Sequence, residues 1–276
     1  MWSVYEKRDR WARYGYEEQI LAFNGEKTRF KAIVKDGELV TITSLNYMLI
    51  PNELVVEVAD QLAPALNATR SAVIYDNWKV YILYTIPETY KMKDTEVQMG
   101  YYIVNAVDGT SALTASFMAR VNWRGQVFDN LVYLRRVARV LSPTKAVAMV
   151  HVVHRESAKM STEKVEEKTR DLVERIKTVI SEGRDVVLLW RLWCEVSFDT
   201  ETIKLIYENF PEVYMPAVAR SIVKQGYKLT NLIPVFDLYM ETCHKIWTTK
   251  TNTSPTRKIA LVRRLQQLFE ETAPKK

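Results

Sequence analysis

The stretch Tyr101-Tyr102-Ile103-Val104-Asn105-Ala106-Val107-Asp108-Gly109-Thr110-Ser111-Ala112-Leu113 carries the strongest fold signal in the chain. A run of aromatic and β-branched residues meets an Asp-Gly pair, and a second such run continues to Trp123. A type I′ turn needs positive φ at both central residues, which Gly adopts freely and Asp tolerates. The spacing therefore predicts a β-hairpin with strands Val97–Val107 and Thr110–Trp123. In a two-residue turn, Ile103 faces Thr114, Tyr101 faces Ser116, Val104 faces Leu113 and Tyr102 faces Ala115. Alternation along the strands then assigns Tyr102, Val104, Leu113, Ala115, Phe117 and Val121 to a core face. Tyr101, Thr114, Ser116, Met118 and Arg120 fall on a face open to solvent or a ligand.

Working outward, Asp36-Gly37 divides Arg29–Val34 from Glu38–Thr43, and Asp76-Asn77 divides Ser71–Tyr75 from Trp78–Ile86. Both read as further hairpins. Between them Leu54, Val58 and Leu62 recur at helical spacing, with Asn52 as a cap behind Pro51. After the third hairpin the pattern turns helical: Val127 to Leu141, then Thr162 to Ile180 with Ser161 as cap. Beyond Ser181-Glu182-Gly183 it is helical throughout, over Asp185–Val196, Thr200–Phe210, Val213–Gln225, Thr230–Thr248 and Pro255–Thr272. The expected class is α+β: an antiparallel, hairpin-built sheet with packed helices over residues 1–182, then an all-helical region over 183–276.

Composition excludes several activities. The chain has 276 residues, with 47% hydrophobic and 26% charged, enough for a sizeable core. No apolar run reaches the roughly 18 residues needed to cross a bilayer, and the N-terminus lacks the apolar stretch of a signal peptide, so a soluble, cytoplasmic protein without membrane contact is expected. Eight Gly form no phosphate-binding loop, so no nucleotide cofactor is expected. Cys194 and Cys243 make no Cys-x-x-Cys pair, and Cys194 sits in an apolar helix. His151 and His154, with Glu156 nearby, form no zinc motif. Asp60, Asp76, Asp108 and Asp129 are the carboxylates available to a metal-dependent nuclease, although turn and helix-end roles explain most of them. The chain reads as a non-enzyme with no cofactor or metal.

The ordered series Tyr47-Met48-Leu49-Ile50-Pro51-Asn52-Glu53, then Trp78-Lys79-Val80-Tyr81-Ile82 leading to Ile86-Pro87-Glu88, then Asn105 with Asp108-Gly109-Thr110-Ser111-Ala112 and Arg120-Val121 resembles the phage- and plasmid-associated family called domain of unknown function 932. The resemblance spans about residues 40–180. Members of that family commonly continue from Arg-Val into Cys-Asn, whereas this chain has Asn122-Trp123-Arg124-Gly125, so no role of that cysteine carries over. The resemblance implies an origin in a mobile genetic element and a task in DNA replication or recombination, such as strand annealing. It supplies no catalytic residues. Phage annealing proteins pair a hairpin sheet with a helix and assemble into rings, so a homo-oligomer, with a ring as one form, is the assembly implied.

Charge locates a candidate surface. The excess of 39 basic over 33 acidic residues gives a net charge of +6. Phe117–Val150 alone holds Arg120, Arg124, Arg135, Arg136, Arg139 and Lys145 against the single acid Asp129. A strand bearing Arg120, a loop with Trp123-Arg124 and a helix bearing Arg135, Arg136 and Arg139 would line a groove. Its arginines would neutralise phosphates while Trp123, Tyr101 or Tyr133 stacked on bases, as single-stranded nucleic acid requires. The alternative is a solvated basic face with Trp123 in the core. Lys7, Arg8, Arg10 and Arg13, interleaved with Trp2, Tyr5, Trp11, Tyr14 and Tyr16, suit the same ligand or else anchor the N-terminus to its own domain or a neighbouring subunit. A structural or protein-interaction role in a virus or plasmid is the competing reading.

Overall fold

The computed structural model describes residues 1–111, 113–132, 162–209, 233–248 and 254–274. The protein is α+β, with antiparallel sheets followed by helices. Two compact units interleave along the chain: Met1–Tyr84, Tyr102–Ala115 and Val137–Lys177 form one, and Thr85–Tyr101, Ser116–Arg136 and Thr178–Lys276 the other.

The first unit opens with a four-stranded antiparallel meander of β1 (Trp2–Arg8), β2 (Tyr16–Phe23), β3 (Glu26–Lys35) and β4 (Glu38–Ser44). Positive φ at Asp36 (50°) and Gly37 (86°) makes the expected turn, and Asn24-Gly25 makes a second of the same kind between β2 and β3. Register fixes the two faces. Glu18 opposite Ile33, and Ile20 opposite Lys31 and Glu6, lie on the inward face, where Tyr16, Ile20, Ala22 and Ile33 are buried. Lys31 is also buried there, paired with Glu18. Trp2 opposite Phe23, Val4 opposite Leu21, and Ala32 opposite both Gln19 and Ile42 define the outward face.

Next come α1 (Asn52–Leu62) and β5 (Thr69–Asp76), which leads into β6 (Lys79–Met92). Helix α1 buries Leu54, Val58 and Leu62 as expected. Asn52 is not its cap: Pro51 holds that position without a side-chain bond. Instead the Asn52 amide donates to the Trp78 carbonyl at 3.1 Å and accepts at 2.8 Å from Asn105, which also donates to the Ile50 carbonyl at 3.0 Å. Tyr47 donates its hydroxyl to the Val107 carbonyl at 3.1 Å. Burial of both asparagines explains this clasp, because an unpaired amide in the core costs more than a cap contributes. The turn before β6 falls on Asn77-Trp78, one residue later than expected, with Asn77 supplying the positive φ.

Strands β5, β6, β7 (Thr95–Ala106), β8 (Thr114–Trp123) and β9 (Gln126–Val132) form a five-stranded sheet in that order. Three expectations change here. Asp108-Gly109 is not a two-residue turn: β7 ends at Ala106 and β8 starts at Thr114, and Asp108 is occupied in accepting from the Thr110 amide at 3.0 Å and hydroxyl at 2.6 Å. Tyr101, Ser116 and Met118, expected on an open face, are buried, because the central strands are covered on both faces. Val127–Val132, expected as the start of a helix, is strand β9, entered by a turn with positive φ at Arg124 (50°) and Gly125 (81°).

Helix α2 (Thr162–Trp193) runs through Ser181-Glu182-Gly183, which was expected to break it. Gly183 serves packing: a Cβ there would lie 2.3 Å from Cδ2 of the buried Phe117 ring. In the second unit, Trp190 and Trp193 pack with Tyr239, and Phe269 with Trp193 and Phe198, at ring-centroid distances of 5.2–5.7 Å. The partners come from α4 (Val235–Thr248), from α5 (Pro255–Thr272) and from a two-residue strand β10 (Ser197–Phe198) that pairs with β11 (Ile233–Pro234). Helix α3 (Thr200–Asn209) completes the described helices. Pro234 closes β11, so α4 starts at Val235 rather than Thr230. The expected helix Val213–Gln225 lies outside the described residues. No described helix is long and apolar enough to cross a membrane.

Candidate nucleic-acid interface

The β8–β9 hairpin carries the described part of the basic segment. Its register sets Arg120 opposite Asp129, Val121 opposite Phe128, Asn122 opposite Val127 and Trp123 opposite Gln126. Successive strand residues point to opposite faces, so Arg120 and Trp123, three apart, lie on different sides. Trp123 shares its side with the buried Val121, Phe128 and Asn130. It retains 6% of its surface and packs 6.1 Å from the His244 ring, and its indole N–H has no acceptor among the described residues. Burial holds His244 below its ordinary value, leaving a neutral ring beside Trp123. A side chain so enclosed offers no face to a base. Tyr101 is likewise buried, and Tyr133 lies outside the described residues.

Both described arginines of the segment meet carboxylates. Arg120, 41% exposed, lies 3.4 Å from Asp129, whose carboxyl is raised by burial and drawn part of the way back by the guanidinium. Arg124, 53% exposed at the turn, lies 3.4 Å from Asp237 and stacks 4.9 Å from the Trp123 ring centroid. Both are long contacts between a solvent-facing guanidinium and a partly buried carboxylate. Arg135, Arg136, Arg139 and Lys145 lie outside the described residues, so the groove is seen only along its strand side. Elsewhere in this unit, Arg184 is committed to Glu88 through a two-pronged contact at 2.8 and 2.9 Å.

The N-terminal segment divides into anchors and exposed groups. Trp11 and Tyr16 are buried, and burial pushes the Tyr16 hydroxyl up to about 12. Lys7 pairs with Glu17 at 3.1 Å and Arg8 with Glu6 at 2.7 Å. Arg10 stacks on Trp11 at 4.9 Å and Arg13 on Tyr14 at 4.4 Å. Trp2 and Tyr5 remain exposed. The sequence reading did not single out Phe23, Lys27, Arg29 and Phe30, which extend this exposed set. The Asn24-Gly25 turn was the available signal, because it folds β3 back against β2, whose other edge pairs with β1.

Three of the four candidate catalytic carboxylates are individually occupied, and the fourth, Asp76, ends β5. Asp60 pairs with Arg70 and accepts from the Tyr84 hydroxyl at 2.7 Å, Asp108 holds its own turn and Asp129 faces Arg120. Among the described residues no three His, Cys, Asp or Glu gather in one place. His151 and His154 lie outside them. Burial raises both thiols, Cys243 to about 12, which disfavours the nucleophilic thiolate.

These features define an α+β protein with a cationic hairpin and an exposed aromatic sheet. No family model, curated protein or solved structure matches the chain.

Proposed function

We propose that the protein is a nucleic-acid-binding accessory of a mobile genetic element, directed to single-stranded DNA and acting in annealing, replication or recombination as a homo-oligomer. The observation that carries the reading is the pair of solvent-facing guanidiniums on one hairpin, Arg120 and Arg124, each 3.4 Å from a carboxylate, with Arg124 also stacked on Trp123. Arg135, Arg136, Arg139 and Lys145 follow in sequence and add to the same charge. In this reading Trp123 braces the turn that presents Arg124 and does not stack on bases. Binding of a labelled single-stranded oligonucleotide across a salt series tests it. Arg120→Gln with Arg124→Gln should weaken binding and lower the slope of log affinity against log salt by about 1.4, at roughly 0.7 per lost phosphate contact. An unchanged slope refutes the hairpin as a contact surface.

A structural or protein-interaction role is the second reading. It is favoured by the exposed Val4, Leu39 and Ile42 on the outward face of the β1–β4 sheet. A discrete oligomer with no salt-sensitive binding of any nucleic acid would favour it over the first.

A further inference from the structure

We propose that strand β5 joins two copies of this chain, edge to edge and antiparallel, into one continuous sheet. The inference rests on the homo-oligomer of the reading above and names its contact.

Among the described residues the two larger sheets have four edge strands, β1, β4, β5 and β9. An edge presents unpaired backbone N–H and C=O groups to any strand that can align with them, and proteins blunt such edges with bulges, charges, proline or a covering element. Three of the four are blunted. In β1 the register slips between Val4 and Glu6, and three of its seven residues, Glu6, Lys7 and Arg8, are charged. In β4 the register slips where Thr41 pairs with Ile33 and Leu39 with Val34, which leaves Val40 without an opposite. Strand β9 lies against α4 and α5. By contrast, β5 has neither proline nor lysine, and its central residues Ser71-Ala72-Val73-Ile74-Tyr75 carry no charge. Tyr75 is 59% exposed.

Charge selects the occupant. The charged residues of β5 are Arg70, near its start, and Asp76, at its end. By alternation both point to the same face. Two identical strands paired antiparallel are related by a two-fold axis, and residues directly opposite each other share a face. When the axis passes through Val73, Arg70 lies opposite the partner's Asp76 and Asp76 opposite the partner's Arg70. Between these ion pairs Ala72 meets the partner's Ile74, Tyr75 meets the partner's Ser71, and Val73 meets its own copy. Every other two-fold register moves Arg70 away from Asp76. Arg70 also holds Asp60 of its own chain, and a guanidinium with its five donors can serve both carboxylates. Eight residues at about 3.4 Å each make a contact about 27 Å long and one strand wide. That is smaller than a standard interface, so the dimer should dissociate on dilution.

Sedimentation velocity of the full chain across a concentration series, without nucleic acid, reads the dimer, and cysteine trapping reads its register. The trapping uses a Cys194→Ser background, because Cys194 is partly exposed whereas Cys243 is buried. Val73→Cys should give a cross-linked dimer on mild oxidation, since directly opposite Cα atoms lie about 4.5–5.5 Å apart, within disulfide reach. Ser71→Cys and Tyr75→Cys should not cross-link singly, each lying four residues, or about 14 Å, from its own copy. Mixed together, those two should cross-link to each other. Asp76→Arg should shift the native chain to monomer, and Arg70→Asp added to it should restore the dimer. The cysteine series keeps the proposal open to refutation should the charge variants misfold. Val73→Cys cross-linking no faster than Ser71→Cys overturns the contact, as does a chain that is monomeric at every concentration. A dimer that Asp76→Arg leaves intact also overturns it. A dimer trapped at Val73 in a chain that binds no oligonucleotide upholds the contact and refutes the nucleic-acid reading, and a monomer that binds oligonucleotide does the reverse.

Discussion

In the β8–β9 hairpin the tryptophan is buried and both described arginines face carboxylates, whereas in the β1–β4 sheet Trp2, Phe23 and Phe30 are exposed and Lys27 and Arg29 lie beside rings. The two regions use the same residue types for different ends. Local charge is highest around the hairpin, yet its described cations are partly compensated. The β1–β4 sheet carries little net charge, and its exposed rings Trp2 and Phe23 lie on the face opposite the one that Lys27 shares with Ala22. Availability, which burial and pairing decide, separates the two regions, and composition does not.

The largest expected effect breaks or upholds that contrast directly. Trp123→Ala removes a buried ring and should destabilise the protein by about 3–5 kcal/mol. Trp2→Ala removes an exposed one and should change stability by no more than about 0.5 kcal/mol. Urea unfolding of the two variants measures both. Equal costs would mean that Trp2 is covered.

A smaller effect extends the contrast to polar groups in the first unit. Asn105→Ala leaves the Ile50 carbonyl and the Asn52 amide oxygen without their donor and should cost about 1–3 kcal/mol. Ile42→Thr, on the outward face, keeps the β-branched shape a strand favours and should be nearly neutral. A costly Ile42→Thr would show that this apolar face is buried against something.

Much of this was legible in the residues, and the failures have physical causes. Helix α1 was readable because its apolar positions recur every three to four residues over three turns. Asp36-Gly37 was readable because the turn residues demand positive φ. Asp108-Gly109 misled because the Asp108 side chain bonds to Thr110 and builds a longer connection, so glycine in the left-handed region does not fix loop length. Val127–Val132 looks helical when its neighbours are ignored, but Arg124-Gly125 folds it back onto β8 as a strand. Gly183 shows the opposite error: a glycine read as a break is there because Phe117 leaves no room for a Cβ. At the candidate site, the opposed directions of Arg120 and Trp123 follow from strand alternation alone. Which cations are compensated did not follow, because Asp237 is 113 residues from Arg124.

The pH dependence of the hairpin gives the next, smaller effect. Burial raises the Asp129 carboxyl above its ordinary value of 3.8, and Arg120 offsets only part of this. An acid whose folded value is raised binds its proton more tightly in the folded state. Its contribution therefore favours folding below 3.8 and is lost as pH rises through the raised value. Asp129→Asn has no such proton to lose. Its stability relative to the native chain should rise as pH climbs above the ordinary value of 3.8 through the raised one. Urea midpoints across that range measure it, and a flat difference would mean that Arg120 compensates Asp129 fully.

The smallest effect asks whether compensation is what restrains the hairpin. Asp237 is the partner that Arg124 would have to leave in order to reach a phosphate. The contact is 3.4 Å long and Arg124 is exposed at a turn, so releasing it should return no more than about 1 kcal/mol. Asp237→Asn keeps the shape of the side chain and removes its charge. Affinity for single-stranded DNA at low salt should increase, by at most about fivefold, with a steeper salt slope as Arg124 joins the phosphate contacts. Added to Arg124→Gln, the same substitution should leave the slope where Arg124→Gln set it, because the freed cation is no longer there. An equal gain in slope with and without Arg124 would show that Asp237 acts through general charge, and the arginines of the hairpin would then be as available as those of the sheet.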